Sequence, residues 1–118
     1  LRVELGYPAK ELSPNTPVHH MTRYRFKKAA KVEAGWATKL ALQNNRAWEP
    51  QSETVKVHLI VHPKTHGPRM DADNLVASAK AHLDGIAETL GVNDRIFEAP
   101  TIEWADRCER GKLIVELR

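Results

Sequence analysis

The chain has 118 residues, enough for one hydrophobic core but not for two, and reads as a single domain over residues 1–118. Its 42% hydrophobic and 28% charged residues set it among ordinary globular proteins and outside disordered chains. No apolar run approaches the roughly 18 residues that cross a bilayer, and no signal peptide opens the sequence. The single cysteine, Cys108, excludes an intrachain disulfide and a cysteine-based zinc site. No membrane association and a reducing, cytoplasmic setting are therefore expected. The net charge of +3 is uneven: residues 1–50 carry nine Lys/Arg against four Asp/Glu, residues 51–118 nine against eleven. A basic first half can steer toward polyanions and an acidic second half can house a cation, although uneven surface charge without function explains the same numbers.

Arg2 to Leu5 alternates polar and apolar residues and predicts a short strand. Gly6 to Pro17, with three prolines, reads as an irregular loop. The proline-free, alanine-rich stretch from about His20 to Asn44 predicts a long helix, with Val32, Trp36 and Leu40 recurring along one side and Arg23, Lys27 and Lys31 along another. Val55, Val57, Leu59 and Val61 alternate with Lys56, His58, Ile60 and His62, which gives a strand with one apolar face. A loop from Pro63 to Pro68 carries Lys64, His66 and Gly67, and a second helix is expected from about Asp73 to Leu90, capped by Gly91. Pro100 to Cys108 and Lys112 to Arg118 read as strands, joined through Glu109-Arg110-Gly111 into an antiparallel hairpin. The order β–α–β–α–β–β predicts an α/β (α+β) domain with a small mixed sheet and two main helices.

Chemistry concentrates in Arg69-Met70-Asp71-Ala72-Asp73-Asn74-Leu75, followed by Lys80, Asp84, Gly85 and Asp94. On a helical wheel Leu75, Ala79, Leu83, Ile86 and Leu90 gather as a core stripe, while Asp73, Lys80 and Asp84 fall within about 20° of the opposite direction. Clustered carboxylates repel unless a cation joins them, and a hard ion such as Mg²⁺ prefers oxygen ligands. Bound to a phosphodiester, such an ion orients water and neutralises charge, and a lysine contacts phosphate as a point charge. The same residues also describe a plain helix start, with Asp71 or Asp73 as N-cap and Lys80–Asp84 as a solvated i,i+4 pair. Spacing alone leaves both readings open.

Arg69-x-Asp71-x-Asp73-Asn74-Leu75, the lysine further along the helix, Asp84-Gly85 and the Gly-Val-x-Asp segment at 91–94 resemble the signature of the RusA family of Holliday junction resolvases. The resemblance extends in weaker form to Ser13-Pro14-Asn15, the basic first helix and the closing strands. It implies a homodimeric α/β nuclease that resolves four-way DNA junctions by paired, Mg²⁺-dependent nicks in recombination and repair, with Mn²⁺ as a substitute ion and a phage or prophage setting. On this resemblance Asp71, Asp73 and Asp94 are the metal-binding triad, Lys80 the catalytic lysine and Arg69 part of the basic approach. Compared with the shortest family motif, about one extra helical turn separates Asn74 from Lys80. Asn93-Asp94-Arg95 stands where many members show paired aspartates, leaving Glu98 and Asp84 as further candidate ligands.

Lys64 and His66 in the loop, and Arg23, Arg25, Lys27, Lys28 and Lys31 on the first helix, suit DNA phosphates; ordinary loop and solvated-face residues are the competing reading. Trp36, Trp48 and Trp104 read as core or dimer-interface residues before base-stacking platforms. No Ser-His-Asp or Cys-His set and no phosphate-cradling glycine loop are identifiable, so no nucleotide cofactor is expected. The expectation is a structure-selective DNA endonuclease. The alternatives are a non-catalytic branched-DNA-binding module, a hydrolase of small phosphate compounds, and a RusA-like nuclease acting on other branched phage intermediates.

Overall fold

Val57, Leu59 and Val61 are buried while His58, Ile60 and His62 between them are half-buried, so this strand has one face against a core and the other partly open. In a computed structural model describing residues 1–118, it is β2 (Val57–His62) in the order β1 (Arg2–Leu5), α1 (His20–Asn44), β2, α2 (Ala72–Leu90), β3 (Thr101–Trp104) and β4 (Lys112–Leu117). Short 3-10 turns occupy Lys10–Leu12 and Asp94–Ile96. The four strands form one mixed sheet in the order β1-β4-β2-β3, an α+β domain of two helices on a mixed sheet. No helix is long and apolar enough to cross a membrane.

The expected hairpin between the last two strands is not formed. β3 pairs parallel with β2, His58 opposite Thr101, while β4 runs antiparallel to both β1 and β2. Burial explains the exchange. β4 contributes Leu113, Ile114, Val115 and Leu117 as buried residues and takes a central place, whereas no residue of β3 is fully buried and it stays at the edge. The segment between them passes the carboxyl end of β2: Cys108 N–H donates to Pro63 O at 2.9 Å, Thr65 N–H to Cys108 O at 3.0 Å, and Arg107 Nη1 to the carbonyls of Lys64 and Gly67.

The core lies between the sheet and the helices. Leu75, Ala79, Leu83 and Ile86 of α2 and Ala34 of α1 pack on Val3, Leu59, Val61, Leu113 and Val115. Where α1 crosses α2 the backbones nearly touch, since a Cβ on Gly85 would lie 2.5 Å from the Lys31 carbonyl oxygen. Beside that crossing, buried His82 Nε2 donates to Glu33 Oε1 at 3.2 Å, and Glu33 Oε2 accepts from Gly6 N–H at 2.9 Å. This chain of bonds ties both helices to the end of β1, and it holds the Glu33 carboxyl below its ordinary value, through His82 first and Gly6 as well.

Candidate functional site

The start of α2 is capped by the residue the motif supplies. Asp71 adopts extended backbone angles and its Oδ1 accepts from Asn74 N–H at 3.0 Å, satisfying one of the free donors of the first turn. Asp73 stands exposed in that first turn, where a negative charge suits the helix dipole. The loop before it is basic: Arg69 lies over Trp104 with its guanidinium 4.2 Å from the ring, and Lys64 sits 5.9 Å above Tyr7. His66 is exposed in the same loop.

Two turns further along α2, Lys80 Nζ donates to Asp84 Oδ1 at 2.5 Å and to Asp94 Oδ2 at 2.8 Å. Two features of the sequence put these groups together. Lys80 and Asp84 are one turn apart on the outward face. Gly91 then takes left-handed angles (φ 72°), Val92 N–H returns to Ala87 O at 3.0 Å, and the chain turns so that Asp94 comes back alongside the helix. Hydrogen bonds from Lys80 to Asp84 and then Asp94 raise the lysine above its ordinary value, so it is a cation at neutral pH and no general base. The same ammonium holds Asp94 below the usual carboxylate range.

The carboxylates named by the motif therefore divide between two places. From Asp73 to Asp84 the helix rises about 16 Å, and no group of three or more His, Cys, Asp or Glu side chains lies close enough to hold a metal ion. A three-carboxylate ion site of Asp71, Asp73 and Asp94 is not assembled within the chain. The two-carboxylate set of Asp84 and Asp94, already sharing one cation, does fit Mg²⁺, which commonly takes one or two protein carboxylates and completes its shell with water and phosphate. Glu98 is engaged elsewhere, its Oε2 accepting from Thr54 Oγ1 at 3.0 Å.

The basic residues of α1 also separate. Arg23 is half-buried and donates through Nη2 to Thr16 O at 2.6 Å and Ser13 O at 3.3 Å, clasping the loop before α1. Arg23 also lines, with Lys27 and Lys31, a hollow of about 290 Å³ that reaches Lys80 and Asp84, and Lys31 borders Asp84 and Asp94 again in the next hollow. Arg25 and Lys28 are exposed. Asp84 stands beside Lys80 as their i,i+4 spacing predicts, whereas the close contact at Gly85 and the clasp made by Arg23 have no local signal in the sequence.

No family model matches the chain. It is 37% identical over 103 residues to a protein of Xylella fastidiosa strain Temecula1 that carries the description "uncharacterized protein". The match covers 84% of this chain and 64% of that protein, so the chain spans under two thirds of its relative's length.

Proposed function

We propose that the protein is a structure-selective endonuclease that hydrolyses phosphodiester bonds in branched DNA, four-way junctions foremost, and works as a homodimer so that two sites nick opposing strands. The observation that carries this reading is the Lys80 ammonium held between Asp84 and Asp94 on the outward face of α2, bordered by Lys27 and Lys31. It lies within the 69–94 stretch that resembles the RusA signature. In this proposal Lys80, permanently charged, stabilises a phosphate oxygen, and the lysines of α1 bring the DNA backbone to it. Asp94 and Asp84 would hold Mg²⁺ (or Mn²⁺), which when bound supplies charge neutralisation and a polarised water. Asp71 and Asp73, with Arg69, Lys64 and His66, would meet the DNA at the other end of α2.

One observation favours a second reading, a branched-DNA-binding module without catalysis: Asp71 already has an ordinary structural task as the α2 cap. Incubating labelled synthetic four-way junction and linear duplex with the protein, in Mg²⁺ and in EDTA, separates the two. Paired nicks confined to the junction and to Mg²⁺ are expected. Tight junction binding with no cleavage in Mg²⁺ or Mn²⁺ would leave the binding module.

A further inference from the structure

Apart from Phe26, which packs against Leu12, Ala30 and Ala81, the large apolar side chains along the middle of α1 do not face the core. Trp36 is 68% exposed, Leu40 62%, Tyr24 59% and Val32 54%, whereas the core-facing side of the helix carries Ala30, Ala34 and Thr38. Tyr24, Val32 and Trp36 line an open groove of about 740 Å³ between α1 and α2, whose floor is cut by Gly35 and Gly85. Four lysines, Lys27, Lys28, Lys31 and Lys39, share that groove with one acid, Glu88. Glu88 engages Lys31 at 3.3 Å, and the Lys39 ammonium lies 4.8 Å from the Trp36 ring.

We infer that this groove is a binding strip for single-stranded nucleic acid, its bases stacked on Tyr24 and Trp36 and its phosphates on the lysines. Charge decides the occupant. A second copy of the chain meeting this face symmetrically would set the four lysines against four lysines, whereas a polyanion neutralises them. The aromatics decide between strands: paired bases hide their faces from a surface groove, while unpaired bases stack on exposed rings in any sequence. Tyr24 and Trp36 are twelve residues apart, about 18 Å along the helix axis, the length of about five stacked nucleotides at ~3.4 Å each. Lys31, common to this groove and to the hollow holding Asp84 and Asp94, makes the strip continuous with the carboxylate–lysine triplet. The inference shares with the proposed function a nucleic-acid partner and the lysines Lys27 and Lys31, and it needs no cleavage.

The test is fluorescence anisotropy with a labelled oligo(dT) of about 15 nucleotides and a duplex of equal length, at low salt and without divalent ions. Wild type should bind the oligo(dT) with quenching of tryptophan emission, a change lost in Trp36→Phe if the other tryptophans do not report. Tyr24→Ala/Trp36→Ala should weaken oligo(dT) at least about tenfold and duplex less than about twofold. Lys28→Gln/Lys39→Gln should weaken both and flatten the salt dependence. Matching urea midpoints for the variants would establish that they are folded. No oligo(dT) binding by wild type, or equal affinity after loss of both rings, overturns the inference. A dimer that Trp36→Ala converts to monomer at unchanged oligo(dT) affinity overturns it too, since a second copy would then cover the face. A protein that binds oligo(dT) through these rings but never cuts a junction retains the strip and loses the endonuclease; one that cuts while the strip variants bind normally does the reverse.

Discussion

The two helices use their apolar residues in opposite ways. α2 turns Leu75, Ala79, Leu83 and Ile86 into the core and keeps Lys80 and Asp73 outside. α1 buries alanines and a threonine and holds Val32, Trp36 and Leu40 out in water. An amphipathic helix normally does what α2 does, because apolar burial is what ties it to the domain. α1 is held by close approach of small residues at the crossing with α2 and by the Glu33–His82 bond. Its large side chains Val32, Trp36 and Leu40 are thereby left exposed, and under the inference drawn above folding and recognition would fall on opposite sides of one helix.

The largest stability difference should separate the helices directly. Leu75→Ala or Ile86→Ala, each at a side chain with no exposure, should cost about 2–5 kcal/mol in urea unfolding. Trp36→Ala should move stability by less than about 0.5 kcal/mol, since alanine favours helix and no core contact is lost. Equal losses would mean that the outward stripe of α1 is packed in solution. Next comes the crossing. Gly85→Ala forces a Cβ against the Lys31 carbonyl at 2.5 Å and should cost about 1–3 kcal/mol. Gly35→Ala meets only the Thr89 hydroxyl at 3.2 Å and should cost less.

Smaller still is the cap. Asp71→Ala should lower stability by about 1 kcal/mol, with Asp71→Ser recovering most of it; full recovery of stability without recovery of junction binding would give Asp71 a second task. The smallest effect is in pH. Because the Glu33 carboxyl is held below its ordinary 4.5, first by His82, its contribution is present above that value and is lost as pH falls through the lower folded value. The gap between the urea midpoints of wild type and Glu33→Gln should therefore narrow on going from about pH 7 to about pH 3. A gap constant with pH would remove Glu33 as a charged tie between the helices.

Local chemistry made much of this visible in the sequence. The run from His20 to Asn44, a start of α2 at Asp71 or Asp73 and the Gly91 stop follow from composition and capping, which act over a few residues; the structure decides for Asp71. The pairing of β4 between β1 and β2 was not legible, because the 105–111 segment reads equally well as a hairpin turn and only the burial competition between β3 and β4 decides. Lys80 and Asp84 were visible as an i,i+4 pair. Asp94 joins them through the turn after Gly91, a tertiary event with no local signature. The Val32, Trp36 and Leu40 stripe gave the right periodicity and no information about which way it faces. That depends on where α2 lies.

The measurement closest to the central claim is single-turnover cleavage of a four-way junction by Asp94→Asn and Asp73→Asn beside wild type, at protein concentrations that saturate binding. Loss of at least about a hundredfold in rate for Asp94→Asn, with junction affinity intact and a smaller loss for Asp73→Asn, is the result expected if the chemistry sits with Lys80, Asp84 and Asp94. Wild-type rates in Asp94→Asn, or a loss confined to Asp73→Asn, would contradict it and move the reacting phosphate to the capped end of α2.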